Sequence, residues 1–227
     1  MFKIGFSNQA TGRLFKDLVY DLVKNWSPSI LYAGGSNDYK AGLLKGKLTY
    51  KPLFIYNRET NYKRLVSGLC YLKDFTLNIL RVKHKILFVV SNPPFIGIAC
   101  LFLKYLFNQR YVMLVYDIYP DILIGIGKIS DSSLLSKFWR KFNRELYENA
   151  DAVITIGHAM RNNLEKQFDV SKTMAKEIVV IPNCADSNYV KPINKLNPFS
   201  KKYNIADKFI ILYAGNFGNT HSFDSII

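Results

Sequence analysis

The sequence predicts an α/β fold: a Rossmann-like parallel sheet with helices on both faces. Short runs of Val, Ile, Leu and aromatic residues alternate with amphipathic segments of helical length along most of the chain, the pattern of successive βαβ units. Several runs, such as Ile86–Val90 (ILFVV) and Val112–Tyr116, are apolar nearly throughout instead of alternating. A parallel strand covered on both faces requires that. With 49% hydrophobic residues in 227, the chain has enough apolar surface for a full core.

The expected strands are, in order, Phe2–Phe6, Ile30–Ala33, Leu53–Tyr56, Ile86–Val90, Val112–Tyr116, Ala152–Ile156, Ile178–Ile181 and Phe209–Tyr213. Tyr62–Leu80 reads as a helix with Leu65, Leu69, Leu72, Thr76 and Ile79 on one side. Leu134–Tyr147 reads as another. There Leu134, Leu135, Phe138, Trp139, Phe142 and Leu146 oppose Lys137, Arg140, Lys141 and Arg144, with Asp131 or Ser132 as N-cap. Residues 1–185 are expected to form one complete domain and 186–207, polar and proline-containing, a linker. Residues 208–227 read as the opening strand, glycine turn and helix start of a second Rossmann unit, too short to bury a core alone. The expectation is a truncated second domain.

Composition narrows the class. Cys70, Cys100 and Cys184 are far apart and show no metal-ligand spacing, which suits buried thiols in a reducing, cytoplasmic setting. The N-terminus lacks the pattern of a signal peptide. The apolar stretch Phe95–Phe107 contains Lys104 and falls well short of the ~20 residues of a spanning helix. Charge is uneven: residues 1–150 hold 22 Lys and Arg against 10 Asp and Glu, and 40–85 holds 11 basic residues against Glu59 and Asp74. Solvated helix faces account for such a run, and so does a surface that meets anions, an anionic membrane included. Nucleic acid is disfavoured as a partner, because no DNA- or RNA-reading motif is present and most aromatics fall at core spacing.

Ligands in doubly wound folds sit beyond the carboxyl ends of the strands, so the post-strand loops are the places to inspect. Ser7–Arg13 contains Gly12 just before a helix start, where backbone N–H groups suit a phosphate. Ser91-Asn92-Pro93-Pro94-Phe95 is a stiff turn ahead of a helix. In Tyr116-Asp117-Ile118-Tyr119-Pro120-Asp121, the carboxylate of Asp117 follows an apolar strand directly and can orient a hydroxyl or accept its proton; Asp121 can serve as a cap. Gly215-Asn216-Phe217-Gly218 would allow close approach of an anion. No G-x-G-x-x-G, complete phosphate loop, D-x-D pair or G-x-S-x-G occurs, and His84, His158 and His221 are scattered. No metal and no cofactor is expected.

Taken in order, SNPPF with its apolar helix, VMLVYDIYPD, RELYENADAVITIGHAMRNNL, EIVVIPNCAD and KFIILYAGNFG resemble the family 4 glycosyltransferases of polysaccharide assembly. The resemblance covers roughly residues 86–220. It implies a two-lobed GT-B enzyme that transfers a sugar from a nucleotide-diphosphate donor to a glycan or polyprenyl-linked acceptor, retaining anomeric configuration. The first lobe, residues 1–185, would hold the acceptor. Asp117 would lie near the sugar and acceptor as the catalytic residue, with Asn92, Pro93, Tyr119 and Asn183 lining the cleft. Gly12, Gly215, Asn216 and Gly218 would approach the donor phosphates. Two departures stand out: Cys184 follows Asn183 where glycine is common, and the first loop has Gly12 without a second glycine. Donor-gripping basic residues and glutamates would lie beyond Ile227. The expectation is therefore an inactive cytoplasmic chain, with peripheral attachment to the inner face of the cytoplasmic membrane left open; a non-catalytic acceptor- or membrane-binding module is the alternative.

Overall fold

A computed structural model describes residues 4–26, 28–34, 46–57, 59–168, 177–184 and 190–215. The chain divides into two compact units, Met1–Asn183 and Cys184–Ile227.

The first unit is built on a seven-stranded parallel sheet of order β3-β2-β1-β4-β5-β6-β7. The strands are β1 Ile4–Asn8, β2 Ser29–Gly34, β3 Leu48–Leu53, β4 Ile86–Val90, β5 Tyr111–Val115, β6 Ala152–Thr155 and β7 Ile178–Val180. Helices α1 (Arg13–Asn25), α2 (Asn61–Arg81), α3 (Ile96–Phe107), α4 (Asp121–Gly125), α5 (Leu134–Glu148) and α6 (His158–Gln167) lie between them. The expected Rossmann-like α/β sheet is present. Phe15, Val19 and Val23 of α1, one helical turn apart, pack with Phe6, Leu31 and Leu114 on one sheet face. On the other face Tyr71 and Phe75 of α2, Leu103 of α3, Leu146 of α5 and Leu164 of α6 enclose Leu87, Met113 and Val153.

Three expectations need correction. The third strand is LTYKPL at 48–53, not the more apolar 53–56, because its register runs from Ser29 opposite Leu48 to Gly34 opposite Leu53. Lys51 and Pro52 suit this outer strand, whose far edge needs no ladder donor, and Phe54 and Ile55 lie exposed beyond it. The inward stripe of α2 is Ser67, Gly68, Tyr71, Phe75 and Ile79, while Leu65 and Leu69 face solvent. Two small residues let the helix close on Pro93, whose Cβ would lie 3.4 Å from a Cβ at position 68, and the two large rings then fill the core. In α5 the N-cap is Ser133, whose Oγ accepts the N–H of Ser136. Leu134, Leu135 and Phe138 are exposed, and buried Ser136 and Asn143 face inward. They do so because each anchors a loop: Ser136 Oγ donates to Ser130 O, and Asn143 Nδ2 to Tyr119 O.

The second unit contains α7 (Pro198–Lys202), closed by a reciprocal capping box between Asn197 and Ser200. The strand expected at Phe209–Tyr213 is not formed. Phe209, Ile211 and Leu212 are 93, 73 and 75% exposed; among the described residues this run has no ladder partner, and a strand without one leaves its backbone unpaired.

Candidate active site at the carboxyl edge of the sheet

The sheet order places β1 inside the sheet, between β2 and the central strand β4. The order in which strands are added reverses at β1/β4, the position at whose carboxyl edge doubly wound sheets bind their ligands. The loops after these two strands meet: Gln9 N–H donates to Asn92 O at 3.4 Å. Gly12 is the N-cap of α1, with φ −84° and no side-chain bond to the first turn. A Cβ on Gly12 would meet nothing within 4 Å, so neither backbone strain nor crowding demands glycine. What the glycine leaves is open space ahead of the first turn of α1.

The loops after β4 and β5 are tied together by Ser91. Its Oγ accepts the backbone N–H of Tyr116 at 3.1 Å and of Asp117 at 3.3 Å. Asp117 thereby borders a hollow lined also by Ser91, Pro94, Tyr119, Trp139 and Asn143. Asp117 is exposed to solvent, yet the protein wall beside it excludes enough water to push its carboxyl above the ordinary carboxylate range. The Tyr119 ring lies nearly parallel to Trp139, 9° apart with centroids at 5.7 Å, and Phe95 stacks on Trp139 at 6.1 Å. Burial first, and the Asp117 charge second, push the Tyr119 hydroxyl upward, with Arg64 acting in the opposite direction.

Asp117 and Tyr119 line the hollow, whereas Asn92 and Pro93 lie in the turn after β4 and Gly12 in the loop after β1. Asn183 is exposed after β7, at the far side of the sheet. Gly215 belongs to the second unit, where a Cβ would lie 3.2 Å from the Tyr213 hydroxyl; Asn216 and Gly218 lie outside the described residues. Asp121 is occupied structurally: Arg140 Nη2 donates to it at 3.0 Å and Gln167 Nε2 at 2.6 Å.

Three contributors were not legible in the sequence. Gln9 is fully buried, its Nε2 donating to Ser67 O at 2.9 Å, with Oε1 left without a hydrogen-bond partner. Gly34 brings three strand ends together, since a Cβ there would lie 2.7 Å from Gln9 O and 2.8 Å from Phe54 O. Arg64, in the first turn of α2, acts on Tyr119 from 55 positions earlier in the chain. Spacing within one loop cannot reveal such neighbours; only the strand order does.

The carboxyl edge carries a hollow with the Asp117 carboxylate and an aromatic wall, and, on a separate loop, the start of α1. The chain is similar to known glycosyltransferases in sequence and in fold. The probable glycosyltransferase WbjE of Pseudomonas aeruginosa is 23% identical over 138 residues, 60% of this chain and 34% of that protein. HepE of Anabaena, solved with UDP-glucose, superposes with a TM-score of 0.56 at 14% identity, over 91% of this chain and 51% of HepE. Sucrose-phosphate synthase of Thermosynechococcus elongatus superposes with a TM-score of 0.57 at 12% identity, over 90% and 53% of the two chains. No protein-family model matches. The chain has the GT-B glycosyltransferase fold in one Rossmann-like lobe and spans about a third to a half of the length of these relatives.

Proposed function

We propose that this chain is the acceptor lobe of a retaining glycosyltransferase that moves a sugar from a nucleotide-diphosphate donor to a glycan or polyprenyl-linked acceptor in cell-surface polysaccharide assembly. The observation that carries the reading is the tie between Ser91 and Asp117, which holds a carboxylate beside the hollow between the loops after β4 and β5. Residues 1–185 form the acceptor lobe, 186–207 the linker, and 208–227 the start of the donor-binding lobe.

In this reading Asp117 accepts a hydrogen bond from the acceptor hydroxyl and orients it, acting as the catalytic residue of this wall. The hydroxyl oxygen bonds to the anomeric carbon as the bond from that carbon to the diphosphate oxygen breaks. The nucleoside diphosphate leaves, and the hydroxyl proton passes to Asp117 or to a departing phosphate oxygen. Asn92, Pro93, Tyr119 and Asn183 shape the acceptor side. The open helix start at Gly12 faces the donor phosphates, and Gly215, Asn216 and Gly218 approach them from the donor lobe. Charge developing on the leaving diphosphate is compensated from the donor lobe in this reading, and loss of such stabilisation costs orders of magnitude in rate. The basic surface of the lobe holds it at the inner face of the cytoplasmic membrane, where lipid-linked acceptors reside. Among the described residues no helix is long and apolar enough to cross a membrane.

The purified chain is expected to show no sugar transfer from UDP-, GDP- or dTDP-sugars, while binding a short-chain prenyl-diphosphate sugar. Transfer by the chain alone would overturn the division of labour; failure to bind any lipid-linked sugar diphosphate would overturn the acceptor assignment.

A further inference from the structure

A series of contacts holds the start of α2 beside the Asp117 hollow. A Cβ at Gly68 would lie 3.4 Å from Pro93 Cβ and 3.8 Å from Phe95 Cδ2. Phe95 in turn stacks on Trp139, and Trp139 on Tyr119, which lines the hollow together with Asp117. Arg64 precedes Gly68 by four residues and so shares its face, one turn nearer the helix start. Because α2 follows β3, that turn stands at the carboxyl edge, as Asp117 and Tyr119 do. Its backbone is fixed. Ser67 Oγ donates to Arg64 O at 3.0 Å and accepts from Asn57 N at 3.2 Å, while Ser67 O accepts from Gln9 Nε2 at 2.9 Å.

The charges here say what chemistry fits. Arg64 is exposed, and its field reaches the Tyr119 hydroxyl: burial, then Asp117, then Tyr56 push that hydroxyl up, and Arg64 pushes it down. Neighbouring cations are engaged by carboxylates, Lys63 by Glu59 and, on the α5 side, Arg140 by Asp121 and Asp131. The first turn of α2 holds no acidic residue. Tyr119 therefore has a carboxylate and a guanidinium acting on it together. A ligand that satisfies both offers a hydroxyl to Asp117 and an oxyanion to Arg64. The planar guanidinium fork matches a carboxylate or a phosphate, and the Tyr119 hydroxyl, protonated at neutral pH, can donate to the same oxyanion.

We propose that Arg64 is a specificity-determining residue of the acceptor site, its guanidinium taking an oxyanion carried by the acceptor next to the sugar whose hydroxyl meets Asp117. The assignment rests on the acceptor-lobe reading of the hollow and deepens it: the acceptor is anionic close to its reacting sugar. A neutral acceptor leaves the guanidinium without that bond and binds more weakly.

Amide NMR of the labelled 227-residue chain tests it with methyl glucoside, methyl glucuronide and glucose 1-phosphate. At least one anionic probe is expected to shift the Asp117 and Tyr119 amides at about tenfold lower concentration than the neutral glucoside. Arg64→Gln is expected to remove that preference. Arg64→Lys should keep part of it, because the charge remains and the fork is lost, and Lys63→Gln, one position away, should leave it intact. Tighter binding of the glucuronide assigns the oxyanion to an acidic sugar, and tighter binding of glucose 1-phosphate assigns it to a phosphate. Equal binding or no binding of the three probes, an anion preference that survives Arg64→Gln, or an equal loss in Lys63→Gln overturns the proposal. So do shifts at these amides caused by UDP and abolished by Arg64→Gln, since the guanidinium would then serve the donor. A soluble prenyl-diphosphate sugar reads the functional assignment separately. Shifts at Asp117 that survive Arg64→Gln refute the anion subsite alone, and their absence beside an Arg64-dependent anion preference refutes the lipid-linked reading alone.

Discussion

The hydroxyl of Ser91, at the end of β4, accepts the backbone N–H of Asp117, just past the end of β5, at 3.3 Å. This bond and its companion to Tyr116 fix where the Asp117 carboxylate stands beside the hollow. Ser91→Ala leaves two N–H groups without that acceptor and is expected to cost about 1–3 kcal/mol. Urea unfolding checks the value, and an unchanged midpoint would mean that the loop is held by other contacts.

Asp117 gives a pH-dependent prediction whose sign is fixed by its environment. The surrounding protein raises its carboxyl above the ordinary 3.8, so folding disfavours the charged form. The group's stabilising contribution is present below the unfolded value and is lost as pH rises through the raised folded one. Asp117→Asn is therefore expected to raise the thermal midpoint at pH 7, with the gain shrinking as pH falls towards 4, even as acceptor orientation is lost. A lower midpoint at pH 7 would contradict this.

Glycines at two strand ends should respond in opposite ways. Gly34→Ala drives a Cβ against two backbone carbonyls, at 2.7 and 2.8 Å, neither of which can rotate away, and is expected to cost about 1–3 kcal/mol. At Gly12 a Cβ meets nothing within 4 Å, so Gly12→Ala is expected to keep stability within about 0.5 kcal/mol and to act only on ligands. Paired thermal melts of the two variants check the contrast.

The cysteines are expected to separate by reactivity. Burial pushes the Cys100 thiol up to about 12, whereas Cys184 is exposed. Native labelling with a thiol reagent should modify Cys184 first and Cys100 only on unfolding; early modification of Cys100 would show that α3 opens readily.

Much of the sheet was legible because apolar runs such as ILFVV fit little except a doubly covered strand. The outer strand was misplaced by this logic: Leu53–Tyr56 is more apolar than Leu48–Leu53, but an edge strand is chosen by ladder register, which composition does not encode. The helix faces failed for a related reason. Leu65, Leu69, Leu134 and Phe138 have the periodicity of a core stripe and lie in water, since inward positions went to Gly68, Ser136 and Asn143 for close approach and loop anchoring. Within the site, Asp117 and Tyr119 could be found from one loop. Gln9, Gly34 and Arg64 could not, because their roles arise only when β1, β2 and α2 are brought beside one another.

The central claim is that the carboxyl edge around Asp117 is an acceptor wall. Two-dimensional amide NMR of the labelled chain, titrated with a water-soluble prenyl-diphosphate sugar, tests it most directly. Shifts are expected at Asn92, Asp117 and Tyr119, abolished by Asp117→Ala combined with Tyr119→Ala, while UDP-glucose alone leaves those amides in place. Tight UDP-glucose binding at those residues, or acceptor shifts confined to other surfaces, would contradict the account.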